Sequence, residues 1–559
     1  MNRRTRPSRR LLAVFAAVVV SVGPLIGPTV AGAAVTAQID GSGSTWAENA
    51  VNQWIFDVTS KGLQVVFTGS GSAQGRTDFR NDTTDFAVSD IGFQGFDPSN
   101  GSNDTSCQDP RVKSSCRPYV YAPIVAGGTS FPYQVRVGGR LLTNLRLSGE
   151  TIAKIFTLKI INWDDPAITR DNNGHKLPDL PIIPVVDSEG SGSTAQFTRY
   201  LATEYPSIWK PFAGSGGAVT EYFPRKGPEI AEAGSDGIIN FVTSAAGNGA
   251  IGYDQYSYAL GKRCPGCFNG WPVAQLENKA GYFVAPTQYD VAVALTKAQI
   301  DMNKNSANYL LQNLNNVYTN PDKRTYPLSS YSYMIIPTSA NDQRMSTPKR
   351  QTLADFIDWS ICGGQAEIGP TGYSPLPINL AQASFQQMYK LHTADKAVQI
   401  SNLNVATQCH NPTFWAGHPD GNFLAKIAPE PPLCDKVGQG PCAPGQGVGP
   451  LGNPTHGKPP PSSNGSPSPK ASGSTSPSAH ASASSSTAPG AGTSGAPGAS
   501  SAPGAGGNTA AGGSAANVDA SQGSNSTGVL VGLALAELVL LVAIPPFVAW
   551  LRRQRRAAR

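Results

Sequence analysis

The sequence predicts an α/β fold for residues 34 to 442, and two patterns carry that prediction. Short apolar runs alternate with helix-periodic stretches along the whole span. Three loops of glycine and serine open directly into helical patterns, the arrangement that leaves backbone N–H groups pointing out of a helix end. A small anion is well received at such an end, through those donors and the positive end of the helix dipole.

Residues 1 to 33 read as a secretory signal. Arg3, Arg4, Arg6, Arg9 and Arg10 precede the apolar run Leu11 to Val22, and Ala31-Gly32-Ala33 supplies small residues for cleavage. The chain is therefore expected to be exported. No cysteine stands before Cys107, which removes an N-terminal lipid anchor.

The first loop, Gly41-Ser42-Gly43-Ser44-Thr45, leads into Ala47, Ala50, Val51, Trp54 and Ile55, spaced as one face of an amphipathic helix. The second follows the strand-like Leu63 to Phe67 as Thr68-Gly69-Ser70-Gly71-Ser72-Ala73-Gln74-Gly75. Next comes Thr84 to Asp90, a short apolar strand ending in Ser-Asp. A carboxylate there accepts hydrogen bonds but repels a fully ionised anion, so it suits a ligand that carries a proton. Phosphate does so near neutral pH and sulfate does not.

Tyr119 to Ala126 is extended, and Leu147-Ser148-Gly149-Glu150-Thr151 opens a helix with a serine cap. The third loop follows Ile182 to Val186 as Asp187-Ser188-Glu189-Gly190-Ser191-Gly192-Ser193-Thr194, with Phe197, Tyr200 and Leu201 at helical spacing behind it. The alternation continues through Gly237 to Val242 and Gly249 to Tyr253. Tyr282 to Pro286 and Tyr326 to Pro337 are extended, and Leu353, Phe356, Ile357 and Ser360 lie on one helix face.

From 443 to 527 the chain is almost only Gly, Ser, Ala, Pro and Thr, a composition that cannot bury a core and predicts a disordered stalk. Treated as a flexible coil, it reaches roughly 50 Å root-mean-square. Residues 528 to 551 are apolar for the length of a bilayer span, and the basic tail 552 to 559 places that end in the cytoplasm. The expected product is a single-pass membrane protein with its folded part outside the cell. Glu537 within the span costs about 2 to 3 kcal/mol on insertion scales.

The formal charge of +6 suggests a polyanion partner until it is divided by segment. Residues 34 to 442 hold 31 basic and 35 acidic side chains, so the folded part is mildly acidic and nucleic acid is not an expected partner. Nothing in the sequence asks for a cofactor or a metal. His175, His392, His410 and His418 form no base-and-orienter pattern with the many serines, so no enzyme is expected. Eight cysteines in an exported chain read as four disulfides. Proximity favours Cys107–Cys116, Cys264–Cys267, Cys362–Cys409 and Cys434–Cys442, although spacing does not fix the connectivity.

Taken together, Gly41 to Thr45, Gly71 to Gly75, Thr84 to Asp90, Leu147 to Phe156, Ile161 to Asp165, Gly190 to Ser193, Gly249 to Tyr253, Glu277 to Pro286, Tyr326 to Tyr331 and Gly372 to Pro377 stand in a telling order. That order resembles the extracytoplasmic phosphate-binding protein of the phosphate ABC transporter, over about residues 34 to 400. The resemblance implies a two-lobed periplasmic-binding-protein fold, type II-like, with the ligand cleft between lobes. Residues 34–122 and 327–442 would form a discontinuous first lobe, and 123–326 the second. It implies ligand contacts from Thr45, the Trp46 amide, Ser72, Asp90, Ser191, Gly192 and Ser193, with phosphate or a related protonated oxyanion as ligand and ABC permease subunits as partners.

One departure bears on that ligand. Where the family carries an arginine two residues before an aspartate, this chain has Asp187 before Glu189, a swing of two charge units beside the ligand. An unpaired carboxylate next to a buried anion is expensive, so Arg76 or Arg225 is expected to supply the missing charge. The alternative reading is a cell-surface adhesion or assembly protein that retains the fold without phosphate binding. The lost arginine, the disulfides and the long stalk all fit it.

Overall fold

The computed structural model describes residues 36–443 apart from 98–101, 105–116, 215–218, 266, 268 and 269. The expected signal peptide, the stalk beyond 443, the apolar span with its basic tail, and the Cys107–Cys116 pair lie outside the described residues. Among those described, no helix is long and apolar enough to cross a membrane.

The described residues begin with two strand-to-helix units and a third strand. β1 (Ile39–Gly43) leads to α1 (Thr45–Thr59), and β2 (Val65–Gly69) to α2 (Ser72–Arg80); β3 (Phe86–Ser89) then leads to Asp90. β1 pairs parallel with β2 on one side and β3 on the other, so all three strands send their carboxyl ends to one edge. β2 starts two residues after Leu63 and runs on into Gly69, because pairing with β1 extends to Gly43 opposite Gly69.

The sheet is completed by β4 (Tyr119–Ser130) and later strands. β5 (Ile183–Asp187) precedes α3 (Gly192–Glu204), and β6 (Ile230–Glu232) precedes α4 (Gly234–Thr243). β7 (Ala250–Gly252) and β8 (Asp254–Gln255) follow almost without a break, then β9 (Ser329–Pro337), α5 (Thr347–Ile361) and β10 (Tyr373–Ser374). The large sheet runs β8-β4-β9-β3-β1-β2, with β10 also paired to β4. A separate three-stranded sheet runs β6-β5-β7, all parallel.

Because β7 belongs to the small sheet and β8 to the large one, Tyr253 sits where the chain passes between them. The long strands β4 and β9 pair antiparallel from Ser329 opposite Gly128 to Pro337 opposite Tyr119. Their burial on both faces explains why each reads as a continuous apolar-to-small run rather than an alternation.

One core is built by α1 and α5 against the large sheet. Ala47, Ala50, Val51, Trp54 and Val58 of α1 meet Leu353, Phe356 and Ile357 of α5, whereas Ile55 is only partly buried at the rim. A larger core gathers Phe131, Phe156, Phe197, Phe223 and Tyr253, whose rings pack mostly edge-on or tilted. It anchors α3 and hence the loop at its start. Disulfides join Cys264 to Cys267, Cys362 to Cys409 and Cys434 to Cys442.

Candidate functional site

The carboxyl ends of parallel strands are where α/β sheets leave their clefts, and here the ends of both sheets converge. Ser44 caps α1, its Oγ accepting from the Ala47 N–H at 3.2 Å. α2 and α3 begin at Gly71 and Ser191 without a side-chain cap, so their first N–H groups are not satisfied by a side chain. The second and third loops touch: the Ala73 N–H donates to the Gly190 carbonyl at 3.1 Å.

Asp90 lies at this meeting point with 2 % of its surface exposed. The Ser44 hydroxyl donates to its carboxylate at 2.8 Å and the Ser72 hydroxyl at 3.1 Å. Gly192 of the third loop packs directly on it; a Cβ there would stand 2.4 Å from Asp90 Oδ2 and 2.7 Å from Ser72 Oγ. Only glycine allows that approach. Burial lifts the Asp90 carboxyl above its ordinary range, while hydrogen bonds from Ser44, Ser332 and Ser72 and the Arg76 charge pull it back down.

Asp187, also buried, closes a small ring at the other sheet's edge. Its N–H donates to the Tyr253 hydroxyl at 3.3 Å, which stands 2.6 Å from Thr194 Oγ1, and Thr194 donates to the Asp187 carboxylate at 2.9 Å. Ser193 donates to the same carboxylate oxygen at 3.2 Å, and Ser191 and Ser193 are bonded to each other at 2.6 Å. The third loop therefore turns its hydroxyls toward Asp187, and Gly192 is its member nearest Asp90. Burial and the like charge of Glu189 raise the Asp187 carboxyl to about 7, against hydrogen bonds from Thr194, Ser191 and Ser193.

Thr45 faces the α4 end, its Oγ1 accepting from the Ser235 N–H at 3.3 Å. Trp46 is buried, with its indole N–H on Thr129 at 3.1 Å and its carbonyl accepting from Tyr373. Neither arginine named as a source of charge is bonded to Asp187. Arg76 is fully buried and pairs with Glu221 at 2.5 Å and Ser89 at 2.8 Å, so its charge serves Glu221 and the field at Asp90. Arg225 is exposed. Asp187 instead draws hydroxyl donors from Ser193 and Thr194.

Several participants escaped the sequence reading. Ser44 lies in the first loop but was not named among the ligand contacts, and Gln196, whose amide donates to the Asp90 carbonyl at 3.0 Å, lies inside a helix pattern. Asp254, buried beside Asp187 and pushed well above its ordinary range by burial, was legible by the strand-end signal that singled out Asp90.

A family model described as a PBP superfamily domain matches residues 28–363. The chain belongs to the PBP superfamily. Among curated relatives of this superfamily member, the phosphate-binding protein PstS of Methanocaldococcus jannaschii is 27% identical over 348 residues, 61% of this chain and 83% of that one. Phosphate-binding protein PstS 2 of Mycobacterium tuberculosis is 29% identical over 343 residues, with shares of 61% and 83%. Among solved structures, a high affinity periplasmic phosphate-binding protein (PfluDING) bound with phosphate is 20% identical with a TM-score of 0.46, covering 66% of this chain and 98% of that one.

Proposed function

We propose that this chain is an extracellular receptor that captures inorganic phosphate, or a related protonated oxyanion, and delivers it to an ABC permease. The observation that carries the reading is Asp90, a buried carboxylate shared by loops from both sheets at the start of two helices that lack side-chain caps. Uncapped helix ends supply N–H donors to an oxyanion. Asp90 supplies an acceptor, which only an oxyanion bearing a proton can satisfy. The names of the curated relatives support the same ligand.

In this reading residues 34–122 with 327–442 and residues 123–326 act as two lobes that close on the ligand, with Thr45, the Trp46 amide, Ser72, Asp90, Ser191, Gly192 and Ser193 around it. Asp187, its carboxyl raised to about 7, carries less than a full charge at neutral pH and so repels the ligand less than an ordinary carboxylate would. The sequence of the C-terminal 528–551 stretch supports a membrane tether at the end of a long stalk.

The engagement of Ser193 and Thr194 by Asp187 favours one competing reading, a surface adhesion or assembly protein that keeps the fold and has given up phosphate. Calorimetric titration of the folded chain with phosphate and with sulfate separates the two. Phosphate heat without sulfate heat supports the receptor. Heat from neither, with the fold intact, removes it.

A further inference from the structure

The chain passes between the two proposed lobes at 122–123, inside β4, and again at 326–327, just before β9. Those strands are paired side by side, so both crossings run in one narrow ribbon. Residues 409–442 make a third link, and its two halves are fastened to different lobes.

The first half belongs to lobe one. Cys409 is bonded to Cys362 at the end of α5, and the side chains of Asn411 and Thr413 both donate to the Leu376 carbonyl, at 3.0 and 2.9 Å. The second half leaves lobe one for residues of the 123–326 stretch. Leu424, Ala425 and Ala428 pack with Tyr289, Ala292 and Val293, and Arg324 donates to the carbonyls of Ala425 and Ala428, each at 3.1 Å.

The grip on lobe two centres on Arg146. This buried guanidinium lies 4.4 Å from the centre of the Phe283 ring and donates to the Cys434 carbonyl at 2.8 Å and the Gln439 carbonyl at 2.7 Å. Hydrogen bonds from a charged donor are stronger than neutral ones. Asn144 and Asn173 hold the Cys442 and Gly440 carbonyls at 2.9 and 3.0 Å, and the Val437 N–H donates to the Gly281 carbonyl at 2.9 Å. The Cys434–Cys442 disulfide closes the segment that presents these carbonyls.

A ribbon of two adjacent strands bends and twists as a hinge. A link fixed elsewhere on each lobe resists that motion, because its ends must separate as the lobes turn. We propose that residues 409–442 are a strap that limits how far the lobes part when the cleft is empty. The proposal rests on the two-lobe reading above. A strap of this kind keeps a larger fraction of the empty protein near its ligand-holding form, which raises the apparent affinity in proportion.

The test measures the distance between two spin labels carried on engineered ketone side chains, at Gln64 in lobe one and Lys210 in lobe two, both exposed. A site-specific protease sequence is inserted between Pro419 and Asp420, in the exposed stretch between the halves of the strap, so the full-length chain folds before it is cut. In phosphate-free buffer, cutting is expected to lengthen the mean distance by more than about 2 Å and to widen its spread, while the C-terminal fragment stays with the body on a sizing column. An unchanged distance after complete cutting overturns the strap, and so does loss of the fragment from the body. The measurement needs no ligand, so a chain that fails to bind phosphate still reports on the strap. A phosphate-binding chain whose distance is unchanged keeps the receptor and loses the strap.

Discussion

Asp90 and Asp187 are both strand-end aspartates, both almost fully buried, and both ringed by serine and threonine hydroxyls. They differ in where the hydroxyls come from and in the charge nearby. Asp90 draws donors from the first and second loops and lies in the field of Arg76; Asp187 draws them from its own loop and lies in the field of Glu189. Burial raises both. The neighbouring charge separates them: a cation lowers the cost of the ionised form at Asp90, while at Asp187 burial, with an anion adding to it, raises the carboxyl to about 7. Two similar motifs thus give an acceptor at one edge of the site and a titratable acid at the other.

The largest effect expected from breaking this contrast lies at its cation. Arg76→Ala removes the guanidinium paired with the buried Glu221 carboxylate, and chemical denaturation should register a loss of about 3–5 kcal/mol. Replacing both partners by apolar residues, Arg76→Met with Glu221→Leu, should recover most of it. A loss under about 1 kcal/mol in the single variant, the scale of a surface pair, would remove the ion pair from the account.

Next in size, Asp90→Asn exchanges one acceptor oxygen for an amide donor. Phosphate affinity should fall roughly 30-fold, about 2 kcal/mol, the scale of one hydrogen bond to a charged group. Unchanged phosphate binding would contradict the role given to Asp90.

Asp187 should appear in pH dependence. Phosphate affinity is expected to fall as pH rises through about 7, where Asp187 loses its proton, and Asp187→Asn should flatten that profile and bind more tightly on the alkaline side. Stability follows the same sign. The unfolded chain releases this proton in the ordinary carboxylate range, near 4, while the folded chain keeps it to about 7. The folded state therefore binds more protons between those values, and unfolding free energy should decline across them as pH rises. Denaturation midpoints measured at several pH values, native against Asp187→Asn, check it.

The smallest change expected is at Glu189→Gln, which removes the like charge and should move the midpoint of the phosphate pH profile downward. A midpoint that stays in place would assign the Asp187 shift to burial alone.

The sequence by itself determined the α/β alternation and the three Gly/Ser loops, because strand and helix periods and glycine-serine chemistry are local properties. It also singled out Asp90, which stands at the end of an apolar run, and the resemblance to the phosphate-binding family singled out the departure at Asp187. Charge partners were not legible. Arg76 bonds Glu221, 145 residues away, and that pairing exists only because α2 and the loop before Phe223 are packed together. The turning of Ser193 and Thr194 onto Asp187, and the junction at Tyr253 that brings Asp254 beside it, were likewise decided by packing. Where a buried charge finds its partner depends on distances across the fold, and residue order along the chain does not encode them.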